Sequence, residues 1–309
     1  MGRSFKFIVF FLFLSLSFGI VYALSGLRFA SGFLGGTYNQ IARTMNHLPG
    51  MSFEVLETKG STENINLLKN SQADLAFVQL DVLIESGKDD PAVGRDIKIL
   101  LPVYREEVHI LAAKTINSLQ DLKGKKVAIG PDGSGTQATA LSILKKLKLD
   151  KEISADNSSA EAGLKKLLGN QIDAVFIIAG APVKILSELN ENTSEKFHLL
   201  PFSKSEMRNF TSRNGAYSQM ILRKNIYPWH AERIETLAVE SVLAGKASLS
   251  DGMVATIINT IFKNQVELYM SHEKWTELEL SFIRKMARRR KILFHPGAYE
   301  TIFKMKETN

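Results

Sequence analysis

The sequence has 309 residues, no cysteine and a formal net charge of +7 at pH 7. The lack of cysteine excludes disulfides, thiol nucleophiles and thiolate metal sites. The length exceeds what one core usually organises, so two domains are expected. Basic residues are scattered, without interleaved aromatic residues, which argues against nucleic-acid binding. The basic run at 288–291 is interpreted as a solvated helix end, with a contact surface for an anionic membrane or partner protein as the alternative.

The first residues are typical of an export signal. Arg3 and Lys6 precede an apolar stretch over 7–21, and small residues follow up to Ala23. This pattern predicts a signal peptide over 1–23 with cleavage after Ala23. The alternative is an uncleaved anchor helix, although the apolar stretch is short for a membrane span of about 20 residues. No cysteine follows the cut, so we expect an exported periplasmic protein without a lipid anchor.

Strand-like and helix-like runs alternate along the rest of the chain. Apolar runs predict strands at 27–31, 53–57, 75–80, 97–103, 108–113, 126–130, 174–178 and 236–244. Helical spacing predicts helices at 38–48, 62–70, 136–147 and 160–168, a long helix across 254–269, and a short helix after 295–298. This alternation indicates an α/β fold whose parallel or mixed sheet is covered on both faces.

Three glycine-bearing loops, at 35–38, 60–64 and 130–136, each stand between a strand-like run and a helix-like run. The start of a helix carries unpaired N–H groups and the positive end of the helix dipole, so it attracts anions. Glycine allows close approach to the backbone, and serine or threonine adds hydroxyl donors. We therefore expect a site that binds a small anionic ligand and does not catalyse a reaction on it.

An internal similarity supports two equivalent lobes. Residues 67–77 resemble residues 167–176, each a helix end, a polar turn with an aspartate, and a buried strand. We expect Asp74 and Asp173 to cap these turns. Ligands of open α/β sheets bind beyond the carboxyl ends of the strands. The exit loops at 79–81 and 179–182, with the three glycine loops, are therefore predicted to face one cleft.

The sequence gives little support for an enzyme. Gly130 and Gly135 have phosphate-loop spacing, but Thr136 stands where that motif requires lysine. The six histidines lack metal-ligand spacing, and no G-x-S-x-G elbow occurs. We expect no catalytic residue, no metal and no cofactor.

Six ordered segments resemble the TAXI group of solute-binding proteins, which serve tripartite ATP-independent periplasmic (TRAP) transporters. These segments are 35–38, 58–64, 74–82, 119–136, 172–182 and 293–298. The resemblance implies a type II periplasmic-binding-protein fold, with two α/β lobes and a ligand cleft between them. The first lobe would comprise 24–112 plus 215–309, and the second 113–214.

The resemblance also implies ligand-binding positions, and Asp81 among them could accept a hydrogen bond from a ligand ammonium group. Leu80 and Asn39 depart from the family pattern and put the precise substrate in doubt. The implied positions are Gly36, Thr37, Tyr38, Gly60, Ser61, Asn64, Gln79, Asp81, Ser134, Gly135, Thr136, Ala179 and Gly180.

The function implied is capture of a small carboxylate, such as a glutamate-like or 2-oxo acid, by lobe closure and its delivery to a TRAP membrane subunit. The protein is expected to be a monomer. The alternatives are a binding protein of an ATP-driven importer, an exported hydrolase, and a sensor that presents its ligand state to a membrane kinase.

Overall fold

The computed structural model describes residues 26–211 and 215–306, so the predicted signal peptide lies outside the described residues. The strands are β1 (Leu27–Ala30), β2 (Phe53–Leu56), β3 (Leu75–Gln79), β4 (Ile97–Ala113), β5 (Lys126–Ala128), β6 (Ser154–Asp156), β7 (Ala174–Ala179), β8 (Phe197–Leu199), β9 (Tyr217–Leu222) and β10 (Ile234–Lys246). The α-helices are α1 (Thr37–Asn46), α2 (Ser61–Lys69), α3 (Leu80–Asp89), α4 (Pro91–Asp96), α5 (Gly135–Lys146), α6 (Ala160–Leu168), α7 (Lys184–Ser187), α8 (Lys204–Phe210), α9 (Asp251–Lys263), α10 (Gln265–Ser271), α11 (Leu280–Arg289) and α12 (Pro296–Lys304). Short 3-10 helices occupy Leu119–Leu122, Glu191–Glu195, Glu273–Glu277 and Lys291–Leu293.

The strands form a curled sheet with two similar halves. Their order is β2-β1-β3-β10-β4-β7-β5-β6, with β9 beside β10 and β8 beside β4. Parallel pairs build each outer half, and the long strands β4 and β10 pair antiparallel between them. The predicted α/β architecture of two lobes is confirmed, and β4 and β10 connect the lobes.

The structure corrects the prediction of two strands at 97–103 and 108–113, because β4 is one continuous strand of 17 residues. The polar residues Arg105, Glu106 and Glu107 interrupt the apolar pattern and resemble a loop in the sequence. Both glutamates are buried, and protein donors hydrogen-bond their side chains. Buried polar groups are tolerated where such partners exist, so the strand continues through them.

The internal similarity corresponds to equivalent structures in the two lobes. The carboxylate of Asp74 accepts a hydrogen bond from the backbone N–H of Arg28 at 2.9 Å. Asp173 accepts one from the backbone N–H of Lys126 at 2.8 Å. Each aspartate thus ties the start of one strand to the neighbouring parallel strand, so its role is structural as predicted, but the carboxylate binds the neighbouring strand rather than its own turn.

Two apolar cores support the sheet. The larger fills the first lobe and continues along one face of the second, and the smaller covers the other face of the second. Tyr227 and Trp229 stack in this smaller core, and Trp229 Nε1 donates to the carbonyl of Leu186. Tyr227 and Trp229 thus pack in the second lobe, while Tyr217 packs on the larger core, and the predicted boundary at residue 215 stays a prediction.

The C-terminal helices differ in one respect from the prediction. The helix expected across 254–269 is broken at Asn264 into α9 and α10. The basic run ends α11, where Arg288 and Lys291 lie over the rings of Phe303 and Tyr299. The interpretation of this run as a helix end is confirmed. Within residues 26–211 and 215–306, no helix combines the length and apolar character needed to cross a bilayer.

Candidate ligand-binding site

The starts of two helices, one from each lobe, meet in the cleft. Glu63 in the first turn of α2 donates its backbone N–H to the carbonyl of Gly133 at 3.1 Å, just before α5. Gly60 has φ +118, and a Cβ there would lie 3.5 Å from the backbone nitrogen of Gly135. A side chain at residue 60 would therefore strain the backbone, and its Cβ would lie in van der Waals contact with the start of α5. Two positive helix ends are thus brought against each other.

The side chain of Gln79 lies in this junction. Its amide oxygen accepts a hydrogen bond from Ser61 Oγ at 3.4 Å, and Ser61 Oγ in turn accepts from the backbone N–H of Gln79 at 3.0 Å. A Cβ on Gly135 would lie only 1.8 Å from that amide oxygen. The predicted residues Gly60, Ser61, Gln79 and Gly135 are therefore brought together at one point.

Glu106 is a buried carboxyl group beside the junction. Its Oε2 accepts from Gln79 Nε2 at 2.8 Å, and its Oε1 accepts from the hydroxyl of Tyr104 at 3.1 Å. Burial raises the pKa of Glu106 to about 8, although these hydrogen bonds oppose the rise. The hydroxyls of Tyr38 and Ser241 are also buried here, and neither has a partner at full hydrogen-bond geometry within the described ranges, although Tyr38 lies close to Glu106, Ser61 and Ser241. The cleft therefore contains hydroxyl groups that can form further hydrogen bonds beside a buried carboxyl group.

Asp81 links the two lobes. Its Oδ2 accepts from Thr139 Oγ1 in α5 and from the hydroxyl of Tyr217 in β9, both at 2.7 Å. Its Oδ1 accepts from the backbone N–H of Val82 at 2.9 Å. Burial raises the pKa of Asp81, while the hydrogen bonds oppose this. Both oxygens serve contacts within the protein that connect the two lobes, and the role of Asp81 as an acceptor for a ligand ammonium group stays a prediction.

Asn64 and Ser134 hold the loops in place. Asn64 Nδ2 donates to the carbonyls of Ser31 and Phe77, both at 2.7 Å, and its Oδ1 accepts from Thr58 Oγ1. Its side chain thus joins the ends of β1 and β3. Ser134 caps α5, where its Oγ accepts from the backbone N–H of Gln137 at 3.1 Å. Both side chains therefore fix the loops of the site through hydrogen bonds within the protein.

The remaining predicted positions are distributed around the cleft. Gly36 precedes α1 and lies under the ring of Phe33, while Thr37 begins α1. Thr136 packs on Gly130 at the base of its loop. Ala179 pairs with Glu107 in the sheet, and Gly180 packs on the stem of Lys274. These contacts place Ala179 and Gly180 beside the Glu107–Lys274 pair, apart from the contacts made by Gln79.

Several residues of this site were missed by the sequence prediction. Tyr104 and Glu106 come from β4, Ser241 from β10, Thr139 from α5 and Tyr217 from β9. One usable signal existed, because two consecutive carboxyl residues at 106–107 lie within an otherwise apolar stretch. Charged side chains are seldom buried unless they are paired or hydrogen-bonded.

Comparison with known proteins agrees with this architecture. The sequence matches the NMT1-like family over residues 29–302. The chain belongs to the NMT1-like family. Its fold is that of periplasmic binding proteins, since the ligand-binding core of GluR0 from Nostoc punctiforme, in complex with L-glutamate, superposes with a TM-score of 0.51. That match has 17% identity and covers 81% of this chain and 99% of the other.

Two further solved structures are similar to the NMT1-like chain. The VFT2 domain of Bordetella pertussis BvgS matches with a TM-score of 0.48 and 13% identity over 84% of this chain and 97% of that domain. A sulfonate-binding protein SsuA from Methylobacillus flagellatus matches with a TM-score of 0.49 and 12% identity, over 91% and 94% of the two chains.

A second charged cluster lies on the opposite face of β4 in the NMT1-like protein. Lys274 Nζ contacts Glu107 at 2.9 Å and Glu277 at 2.7 Å, and Arg105 also pairs with Glu277 at 3.0 Å. Glu240 from β10 lines a small cavity of about 80 Å³ beside them. Burial raises the pKa of Glu240 to about 8, although Arg105 opposes the rise.

His109 of the NMT1-like chain has a structural role. His109 is fully buried, with Nδ1 donating to the carbonyl of Glu107 and Nε2 accepting from the hydroxyl of Tyr227 at 2.8 Å. Burial lowers the pKa of His109 to about 4, consistent with a neutral ring. Among the residues that the structure describes, no group of three or more histidine, aspartate or glutamate residues could hold a metal ion.

The buried carboxyls predict that the unliganded NMT1-like protein loses stability as the pH rises. The pKa of Glu106 and of Glu240 is about 8 in the folded state, above the ordinary 4.5. Each group therefore contributes stability that is fully present below about pH 4.5 and is lost as the pH rises through 8. Each effect is at most about 4 kcal/mol by pH 8.

Urea denaturation between pH 5 and 9 measures this dependence. Glu106→Gln and Glu240→Gln should each make the curve of unfolding free energy against pH flatter than that of the wild type. Equal slopes for all three proteins would contradict the assignment of raised pKa values to these groups.

Proposed function

We propose that this chain is an extracytoplasmic solute-binding protein that captures a small carboxylate and delivers it to a TRAP membrane permease. The observation that carries the proposal is the meeting of the α2 and α5 starts at Gly60 and Gly135, beside the hydroxyls of Ser61 and Ser134. Backbone N–H groups and hydroxyls in this position are hydrogen-bond donors suited to a carboxylate. The donors come from both lobes, so a ligand that contacts both stabilises their closed arrangement.

The ligand is expected to favour closure of the two lobes because it binds the closed form more tightly than the open form. A ligand held by both helix starts interacts with more donors in the closed form than in an open one, and it shifts the population toward closure. The contacts of Asp81 with Thr139 and Tyr217 add stability to the same arrangement. The lobes would rotate about β4 and β10, the two long strands that connect them.

The membrane partner and the location are parts of the same proposal. The ordered TAXI-like segments support a TRAP permease, driven by an ion gradient, as the acceptor of the ligand. The signal-like segment over 1–23 supports export to the periplasm without a lipid anchor. A monomer fits this role, since one chain contributes both sides of the junction.

Thermal shift with a defined ligand panel tests the proposal. The purified protein is heated with α-amino acids, 2-oxo acids, dicarboxylates, neutral sugars and polyamines. Ligands that bind the native state raise the melting temperature by mass action. We expect stabilisation by at least one carboxylate. Stabilisation limited to sugars or polyamines would overturn the proposal.

A transport assay tests which membrane protein receives the ligand. Proteoliposomes that contain TRAP membrane subunits should take up the stabilising carboxylate only when this protein and an ion gradient are both present. Uptake through an ATP-driven importer instead would contradict the TRAP assignment while leaving carboxylate binding intact.

A further inference from the structure

The orientation of the Gln79 side-chain amide indicates where the cleft offers hydrogen-bond donors and where it offers an acceptor. Its oxygen faces Ser61 and the start of α5 at Gly135, and its nitrogen donates to Glu106 at 2.8 Å. The reverse orientation would place the amide oxygen against a carboxyl oxygen and the NH₂ group against the N–H groups of a helix start. The cleft thus presents donors at one end and an acceptor at the other, a few ångströms apart.

The acceptor end is a built site. Glu106 is only 5% exposed, and its described hydrogen-bond partners, Gln79 and Tyr104, are both neutral. The hydroxyls of Tyr38 and Ser241 lie in the same buried cluster, without a partner at full hydrogen-bond geometry among the described residues, and Tyr38 is close enough to Glu106 to interact with it. A buried carboxyl with neutral partners is stabilised strongly by a cationic donor.

We propose that Glu106 binds the ammonium group of an α-amino acid whose carboxylate is held at the starts of α2 and α5. Gln79 would turn aside as the ligand enters, because its amide occupies the same donor-to-acceptor span. In an α-amino acid, the carboxylate oxygen and the ammonium nitrogen are separated by only one more bond than the two polar atoms of a primary amide. The inference deepens the proposed function, on which it rests, by naming the substrate class.

The proposal separates amino acids from their 2-oxo counterparts. An oxo acid keeps the carboxylate but brings no positive charge, and its carbonyl oxygen is an acceptor that only the protonated form of Glu106 can meet. Sites built to hydrogen-bond one group discriminate strongly against analogues that lack it. We therefore expect the preferred amino acid to bind at least about 100-fold more tightly than the matching oxo acid.

Binding is also expected to release a proton near pH 7. Burial among neutral partners raises the pKa of Glu106 to about 8, and an adjacent ammonium group would lower it. The titratable groups that face Glu106 are Tyr38, Tyr104 and Asp81. None of these is a cation, so the ligand would supply the positive charge.

Isothermal titration calorimetry with matched pairs tests the inference: glutamate with 2-oxoglutarate, alanine with pyruvate, and leucine with 4-methyl-2-oxopentanoate. Glu106→Gln should weaken binding of the preferred amino acid at least about 30-fold and change binding of its oxo acid less than about 3-fold. Glu240→Gln is the matched control, since it removes another buried carboxyl of raised pKa from the neighbouring strand. It should leave both affinities unchanged.

A wild-type measurement keeps the test independent of any variant. Titrations at pH 7 in two buffers of different ionisation enthalpy should show close to one proton released per amino acid bound, and none per oxo acid. Oxo acids or dicarboxylates that bind while amino acids do not would overturn this inference and leave the proposed function standing. Binding of no carboxylate in the wider panel would overturn both.

Discussion

Gly135→Ala should retain the fold and lose most of its ligand-driven closure. The added methyl group would lie 1.8 Å from the amide oxygen of Gln79 and 2.7 Å from Ser61 Oγ in the closed arrangement. The Gln79 amide is the end of a flexible side chain and can turn, as the ligand requires, but the methyl group would still crowd Ser61 Oγ and cover the helix start that is proposed to hold the carboxylate. Overpacking of this kind destabilises by about 1–3 kcal/mol, which corresponds to a loss of affinity of about 5- to 150-fold.

The clash exists only when the lobes meet, so the open form should tolerate alanine. Gly252→Ala is the matched control, since it is also a glycine in the first turn of a helix and has no neighbour within 4 Å of the added Cβ. Small-angle scattering with and without the stabilising ligand reports closure, and calorimetry reports affinity. A Gly135→Ala protein that closes and binds as the wild type does would show that this junction is not the site.

Much of the fold follows from local pattern. The apolar runs that become β1, β3 and β7 are short, almost uninterrupted and bounded by turn residues, so their identity is clear from sequence. The same holds for α6, which begins after the capping residue Ser159. The repeated aspartates Asp74 and Asp173 predicted equivalent lobes, and in each lobe the carboxylate ties the start of one strand to its parallel neighbour.

The two strands that connect the lobes were harder to predict. In β4, charged residues at the crossing point are buried by contacts from distant segments, such as Gln79 on one face and Lys274 on the other. Tertiary hydrogen bonds of this kind override the polar signal in a local window. The break of the long helix at Asn264 was likewise hidden, because the apolar spacing continues across it.

The site was predicted in part for a similar reason. Glycine loops before helices carry their own signal, so the junction of Gly60 and Gly135 could be expected from sequence. Which side chains fill it depends on how the lobes meet. Asn64 and Asp81 hold the loops and the lobes together, whereas Glu106 enters from a strand with no motif. The sequence placed a possible acceptor for a ligand ammonium group at Asp81, and the structure places a second buried carboxyl, Glu106, beside the donors.

Lys274→Met should destabilise the protein by about 3–5 kcal/mol, because it leaves two carboxylates without their shared cation. Lys274 is 5% exposed and contacts Glu107 at 2.9 Å and Glu277 at 2.7 Å. Burial opposes its charged form, but the two carboxylates outweigh this and raise the pKa of Lys274. Methionine preserves the apolar stem that packs on Gly180 and removes the charge.

Urea denaturation at pH 7 measures the loss, with Lys165→Met as the control. Lys165 pairs with Glu161 at 3.0 Å, but both side chains are more than two-thirds exposed, so that change should be below about 0.5 kcal/mol. Adding Glu107→Gln to Lys274→Met should restore part of the stability, because the amide removes one unpaired charge and its oxygen can still accept from the backbone N–H of Ala181. A Lys274→Met protein as stable as the control would show that the buried ion pairs contribute nothing net. The connection between β4, the loop at Gly180 and the C-terminal segment would then depend on packing alone.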